Sequence, residues 1–193
     1  MRPVLILSVA QAREIGSAAT IYLRIAPISS EASAVELDAA MAYAPQGIFL
    51  EQAANGSDVA RLAARIAVAE ARHGLPDGRT RIIASTAHDG ASLLSLSTFR
   101  AASPRLDGLA FDAAALSSRL AVTEDSEPIR IARAMALFAA HAAGAAAVAG
   151  PFPSRDPDAV RRAVMEASQL GYTAALATSP EEAEVIRGDT ARA

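Results

Sequence analysis

Arg24, Glu51, Asp89, Asp112 and Asp156, joined by His88 and Arg155, are the residues whose type and position could do chemistry in this chain. Each lies within or just after a short apolar run. Arg24 sits inside TIYLRIA (Thr20–Ala26), Glu51 ends QGIFLE (Gln46–Glu51), and His88 and Asp89 follow TRIIAST (Thr80–Thr86). Asp112 ends LDGLAFD (Leu106–Asp112), and Arg155 and Asp156 follow GAAAVAGPF (Gly144–Phe152). Carboxylates gathered with an arginine suit an oxygen-bound divalent metal and a carboxylate substrate. Each residue also has a purely structural reading. An unpaired charge inside an apolar strand is costly, so Arg24 either pairs with a buried carboxylate or faces a pocket. Glu51, Asp89 and Asp112 could cap the helices that follow them. His88 could be a hydrogen-bonded residue rather than a ligand or base, and His73 and His141 suit helix C-termini.

The elements that must position these residues are legible from the hydrophobic pattern. Besides the five runs above, PVLILSV (Pro3–Val9) and YTAALAT (Tyr172–Thr178) also read as short buried strands, which makes seven in all. Between them lie helical stretches: a short helix or turn over 10–19, then 29–44 with Ser30 as cap and Ala34, Leu37, Ala40 and Met41 as its apolar face. The clearest helix is 55–78, capped by Ser57, with Asp58 in its first turn, Val59, Leu62, Ile66 and Ala69 on one face, and Gly74 and Pro76 as its stop. Further helices are expected over 90–103, 113–121, 129–141, 156–171 with Asp156 as cap, and 179–186 with Ser179 as cap. Strands alternating with helices along almost the whole chain predict a parallel sheet covered by helices, closed or nearly closed as a (β/α) barrel. Such barrels build their sites at the C-terminal ends of the strands, where the candidates lie. Eight strands are usual; seven predict a barrel shortened or incomplete at the N-terminus, with an edge that a partner could cover.

Composition narrows the chemistry. The 193 residues suit one domain, with 52% hydrophobic residues and a net charge of -3. There is no Cys, so thiolate catalysis, cysteine metal sites and disulfides are excluded. All 18 basic residues are Arg, which excludes a lysine Schiff base. Scattered arginines without stacking aromatics argue against nucleic-acid binding. No apolar run approaches the roughly 20 residues of a membrane span, and MRPVLILSVAQAREIG lacks the form of a secretory signal, so a cytoplasmic protein is expected.

From about Tyr22 to Ile186 the chain resembles the HpcH/HpaI aldolase and citrate lyase beta-subunit family, in its acyl-CoA lyase branch. YLRIAP is similar to the family's VRVN strand, and QGIFLEQAANGSDVARLAARIAVAEARHGLP to its DGIVLPKVES...DV unit. RIIAS followed by AASPRLDGLAFDAAAL is similar to LIALIET followed by SPRLAALAFGAEDL, and LGYTAALATSPEEAEVI to LGFTGKLAIHPAQVPVI. The family's acidic ILDLEDAV segment has no counterpart near PVLILSVAQA.

The resemblance implies a TIM barrel, commonly oligomeric, that uses Mg2+ to make or break a carbon–carbon bond beside a carboxylate or thioester. It assigns substrate binding to Arg24. Thr86 or Ala87 stands where the family's metal-binding Glu belongs, and Ala115 where its Asp belongs. Gln52 replaces the lysine of LPK, and Ser179 the histidine of IHP. Glu51, Asp89 and Asp112 lie within a few residues of the replaced ligands and are the candidates for a relocated Mg2+ site. Two readings follow. One is a carbon–carbon lyase acting on a small carboxylate or an acyl-CoA ester; the other is a non-catalytic protein of the same fold that binds a ligand or a partner. Under either reading the chain is expected to self-associate as a homo-oligomer.

Overall fold

A computed structural model describes residues 1–15, 21–152, 154 and 156–190; Thr20 and Arg155 lie outside the described residues. The chain runs β1 (Arg2–Leu7), α1 (Val9–Ile15), β2 (Ile21–Ile25), α2 (Ala32–Met41), β3 (Gly47–Leu50), α3 (Gly56–Arg72), β4 (Arg81–Thr86) and α4 (Gly90–Leu94). It continues through β5 (Leu106–Phe111), α5 (Ala113–Leu120), α6 (Glu127–Ala142), β6 (Ala146–Ala149), α7 (Pro157–Gln169), β7 (Ala174–Ala177) and α8 (Pro180–Thr190). The strands pair in chain order, all parallel, and β1 also pairs with β7 through Val4 and Leu176, so seven strands close into a barrel. The open edge expected from a strand count below eight is therefore absent among the described residues.

Both faces of the strands are buried, which is why they read as nearly unbroken apolar runs. Alternate residues serve different cores. Leu23, Ile48, Leu50, Ile82 and Ala84 face the helices, whereas Val4, Ile6, Tyr22, Phe49, Ile83, Ala110, Val148 and Leu176 fill the barrel. The interior is narrow enough to require small residues opposite its rings: a Cβ on Gly47 would lie 2.4 Å from Cε1 of Tyr22. Between β4 and β5 the register shifts by one residue, Ile82 facing Leu106 and Ile83 facing Gly108, so Asp107 is the extra residue of a bulge.

That bulge closes the barrel's floor. The Tyr22 hydroxyl donates to Oδ2 of Asp107 at 2.5 Å, Nη2 of Arg2 donates to the same oxygen at 2.9 Å, and Nε of Arg81 is 4.0 Å from Oδ1. Burial pushes the Asp107 carboxyl up, but the hydrogen bonds from Tyr22 and Arg2 and the charges of Arg2 and Arg81 outweigh it and hold it below the usual range. A depressed carboxyl stabilises the fold above its unfolded pKa of about 3.9 and loses that contribution as pH falls through its lower folded value. Asp107→Asn should therefore cost about 1.5–3 kcal/mol at pH 7. The gap from wild type should close in urea titrations taken progressively below about pH 4; a gap that stays constant to the acid limit would contradict this.

Several helix starts differ from the sequence expectation. The cap of α3 is Asn55, whose extended backbone lets Oδ1 accept the Ser57 N–H at 3.0 Å, so Ser57 is the helix's second residue rather than its cap. Its stripe of Val59, Leu62, Ile66 and Ala69 is buried as expected. In α2, Glu31 rather than Ser30 occupies the cap position, and Ser33 takes the buried place expected of Ala34. The single helix expected over 90–103 breaks at Ser95 into α4 and a short 3-10 turn, Leu96–Phe99. There the Ser95 and Thr98 hydroxyls donate back to the carbonyls of Ala91 and Ser95 and compete with the helical ladder.

Candidate functional site

Tyr22 and Arg24 share the inner face of β2, two residues apart, so with Tyr22 at the floor Arg24 is directed to the opposite, C-terminal mouth. Glu51 immediately follows β3 and Asp112 immediately follows β5, which brings both to the same mouth. Arg24, Glu51 and Asp112 line a cavity of about 280 Å3, with Gln11, Gln52, Ser85 and Thr178 as further polar groups and Ile6, Phe49 and Leu176 as its apolar wall. Among the described residues Arg24 is the only cationic side chain lining it.

The electrostatics are set by this one cation among carboxylates. Nε of Arg24 is 3.5 Å from Oε1 of Glu51, and both side chains remain partly open to solvent. Burial pushes the Glu51 carboxyl up; Arg24 opposes this, while Glu36 and Asp112 add to it, and the net result is above the usual range. Glu36 is fixed behind the pair by accepting the Ala26 N–H at 2.6 Å. Glu51 thus pairs with Arg24 and caps no helix. Asp112 is at once a lining residue and a cap, its Oδ1 accepting the Ala115 N–H at 3.0 Å.

Asp89 is held differently. It forms a capping box with Ser92 at the start of α4, and its Oδ2 lies 3.7 Å from Nε2 of His88 and 3.9 Å from Nη1 of Arg119. The Ser92 N–H, then the Ser92 hydroxyl, with smaller help from His88 and Arg119, hold its carboxyl below the usual range against the effect of burial. His88 is buried beside it, and neither residue lines the cavity that Arg24 faces. Asp156 caps α7 by accepting the N–H groups of Asp158 and Ala159.

The positions where the resemblance would place a metal hold no suitable donor. Thr86 is 0% exposed and its hydroxyl donates to the Ala53 carbonyl at 3.1 Å; Ala87 beside it is equally buried. Ala115 contributes a backbone N–H to Asp112 and no side-chain oxygen. Among the described residues no group of three or more His, Asp or Glu is placed to hold a metal ion. A Mg2+ ion held in the family's manner does not fit these residues; what the mouth presents is the Arg24 guanidinium beside the Glu51 and Asp112 carboxylates.

The sequence matches no protein-family model and no curated protein. Its fold does match solved structures. RipC from Yersinia pestis superposes with a TM-score of 0.78 at 21% identity, covering 98% of this chain and 94% of that one. A citrate lyase from Burkholderia xenovorans gives 0.78 at 16%, covering 98% and 77%. The citrate lyase beta subunit of M. tuberculosis, complexed with oxaloacetate and magnesium, gives 0.73 at 19%, covering 96% and 86%. At such identities the likeness establishes a shared barrel fold. Among the described residues no helix is long and apolar enough to cross a membrane.

Proposed function

We propose that this chain is a divergent member of the HpcH/HpaI and citrate lyase beta-subunit family whose barrel mouth binds a small carboxylate and has given up metal-assisted carbon–carbon bond chemistry. The observation that carries this reading is the asymmetry of the mouth. The one residue the resemblance ties to substrate, Arg24, lines the cavity, whereas the metal positions are taken by a buried, hydrogen-bonded Thr86 and by Ala115. The fold shared with citrate lyase proteins supports the family assignment. At about 280 Å3 the cavity is just below the usual range for ligand pockets, about 300–1,000 Å3, and accommodates a short acid.

The guanidinium would hold the ligand's carboxylate by charge-assisted hydrogen bonds, displacing Glu51 from its pairing. Ile6, Phe49 and Leu176 would shelter the ligand's carbon skeleton. Calorimetric titration with oxaloacetate, isovalerate and acetyl-CoA, with and without Mg2+, tests the reading. A short carboxylate should bind irrespective of Mg2+, and Arg24→Gln should weaken it about 10- to 100-fold, the equivalent of a lost hydrogen bond to a charged group. Saturable Mg2+ binding that disappears in a Glu51→Ala, Asp112→Ala double variant would instead support a metal site relocated to Glu51 and Asp112, without Asp89, and with it retained lyase chemistry.

A further inference from the structure

Resting on the reading of the mouth as a carboxylate pocket, we infer that its ligand is a zwitterion, a small amino acid with an apolar side chain, whose carboxylate meets Arg24 and whose ammonium group lies between Glu51 and Asp112. The argument starts from charge. The cavity is lined by one cation and two carboxylates, Arg24 against Glu51 and Asp112, and Glu36 stands close enough to Glu51 to add to the negative field. A simple anion that takes Arg24 leaves Glu51 without its counter-charge in a partly desolvated place, beside Asp112, and carboxylates so crowded repel one another. A dianion adds a second negative charge to the same space. A ligand that brings its own cation restores the balance that Arg24 provided: its ammonium replaces the guanidinium as partner of Glu51 and offers three donors to the two carboxylates. Polar groups that leave a water-exposed mouth must find such partners on binding.

The rest of the lining agrees. Gln11 accepts from the N–H and hydroxyl of Ser8 and Thr178 donates to Glu182, which leaves Gln52 and Ser85 as further neutral polar groups, so full charge in the lining comes only from Arg24, Glu51 and Asp112. Opposite them, Ile6, Phe49 and Leu176 form the buried upper layer of the barrel interior and offer a dry surface to a branched aliphatic side chain. Glu51 faces Arg24 from β2, Glu36 from α2 and Asp112 from the β5–α5 junction, and these are the charges that act on it.

Three probes separate the contributions: valine, isovalerate, which is valine without its ammonium group, and isobutylamine, which is valine without its carboxylate. In titrations of the full chain at pH 7.5 followed by calorimetry or protein NMR, valine should bind at least tenfold more tightly than either. A Glu51→Gln, Asp112→Asn double variant, in which asparagine keeps the cap oxygen of α5, should lose that preference and bind isovalerate as well as valine. As pH falls through the raised pKa of Glu51, valine binding should weaken and isovalerate binding should strengthen. Isovalerate binding as tightly as valine, or valine not binding at all, overturns the inference. Isovalerate binding that Arg24→Gln abolishes would leave the carboxylate-pocket reading standing in that event; binding of none of the carboxylates would remove both.

Discussion

Glu70→Ala is expected to lose about 3–5 kcal/mol of stability, the cost of leaving a buried partner charge unpaired. Glu70 is 1% exposed and faces Arg105, itself 8% exposed. The guanidinium donates through Nη1 to Oε1 at 2.9 Å and through Nη2 to Oε2 at 2.7 Å, a two-pronged pair. Glu70 also accepts the N–H groups of Thr80 at 2.6 Å and Gly78 at 3.0 Å. One carboxylate therefore ties the end of α3, the turn that follows it and the entry to β5. Asp77, 2.7 Å from Nη2 of Arg105, remains after the substitution, but its side chain is 90% exposed, so it compensates weakly. For a chain of this length the loss corresponds to a fall in Tm of about 2–4 °C per kcal/mol, or roughly 6–20 °C in total. Glu70→Leu combined with Arg105→Met should recover only part of it: removing both charges leaves neither one stranded, but the N–H groups of Thr80 and Gly78 still lose their acceptor. A single-variant loss below about 1 kcal/mol in urea unfolding would show that water or Asp77 satisfies Arg105 after all.

Gly56→Ala is the second large effect, and here sterics and propensity pull in opposite directions. Gly56 is the first residue of α3, where alanine is the better helix former by up to about 1 kcal/mol. Its N–H donates to Oγ1 of Thr98 at 2.8 Å, which draws the helix start onto the 3-10 turn Leu96–Phe99. A Cβ built there would lie 2.0 Å from the Thr98 carbonyl oxygen. That oxygen belongs to backbone and cannot swing aside, so overpacking, worth about 1–3 kcal/mol or more, should win. The urea midpoint should fall with little change in slope, as for a change in stability alone. An unchanged or raised midpoint would mean that the turn yields at little cost.

These two sites mark where the sequence is hard to read. The strands were legible because burial on both faces leaves runs such as GIFL and RIIAS almost without interruption. Arg24 and the cap at Asp112 were legible because a charge in a strand and an aspartate before a helix each have few physical explanations. The Glu70–Arg105 clasp was missed because its partners are 35 positions apart and neither stands at a strand exit. A signal existed: Glu70 falls four residues after Ile66, in phase with the apolar stripe of α3, where a carboxylate is costly unless paired. It also accounts for the arginine of SPRLDGLAF as a structural anchor. Glu51 could not be told from a helix cap by sequence, because the residue that claims it, Arg24, comes from a different strand.

The bulge at Asp107 bears on more than the floor it closes. A cylinder of strands has an inside and an outside only if a path followed once round its pairings returns to a residue of the same face. Side chains alternate along each strand, so the net displacement on return must be even. The seven registers do close on an even displacement, and they do so only because β5 carries one residue more than β4 at this point. Remove that residue and the parity becomes odd: Ala110 and Asp112 would have to turn toward the helices, or the seam to β4 would have to open. Whether a ring of strands can shut is thus a question of parity rather than of how many strands it contains, and here a single aspartate with no register partner on β4 supplies the answer.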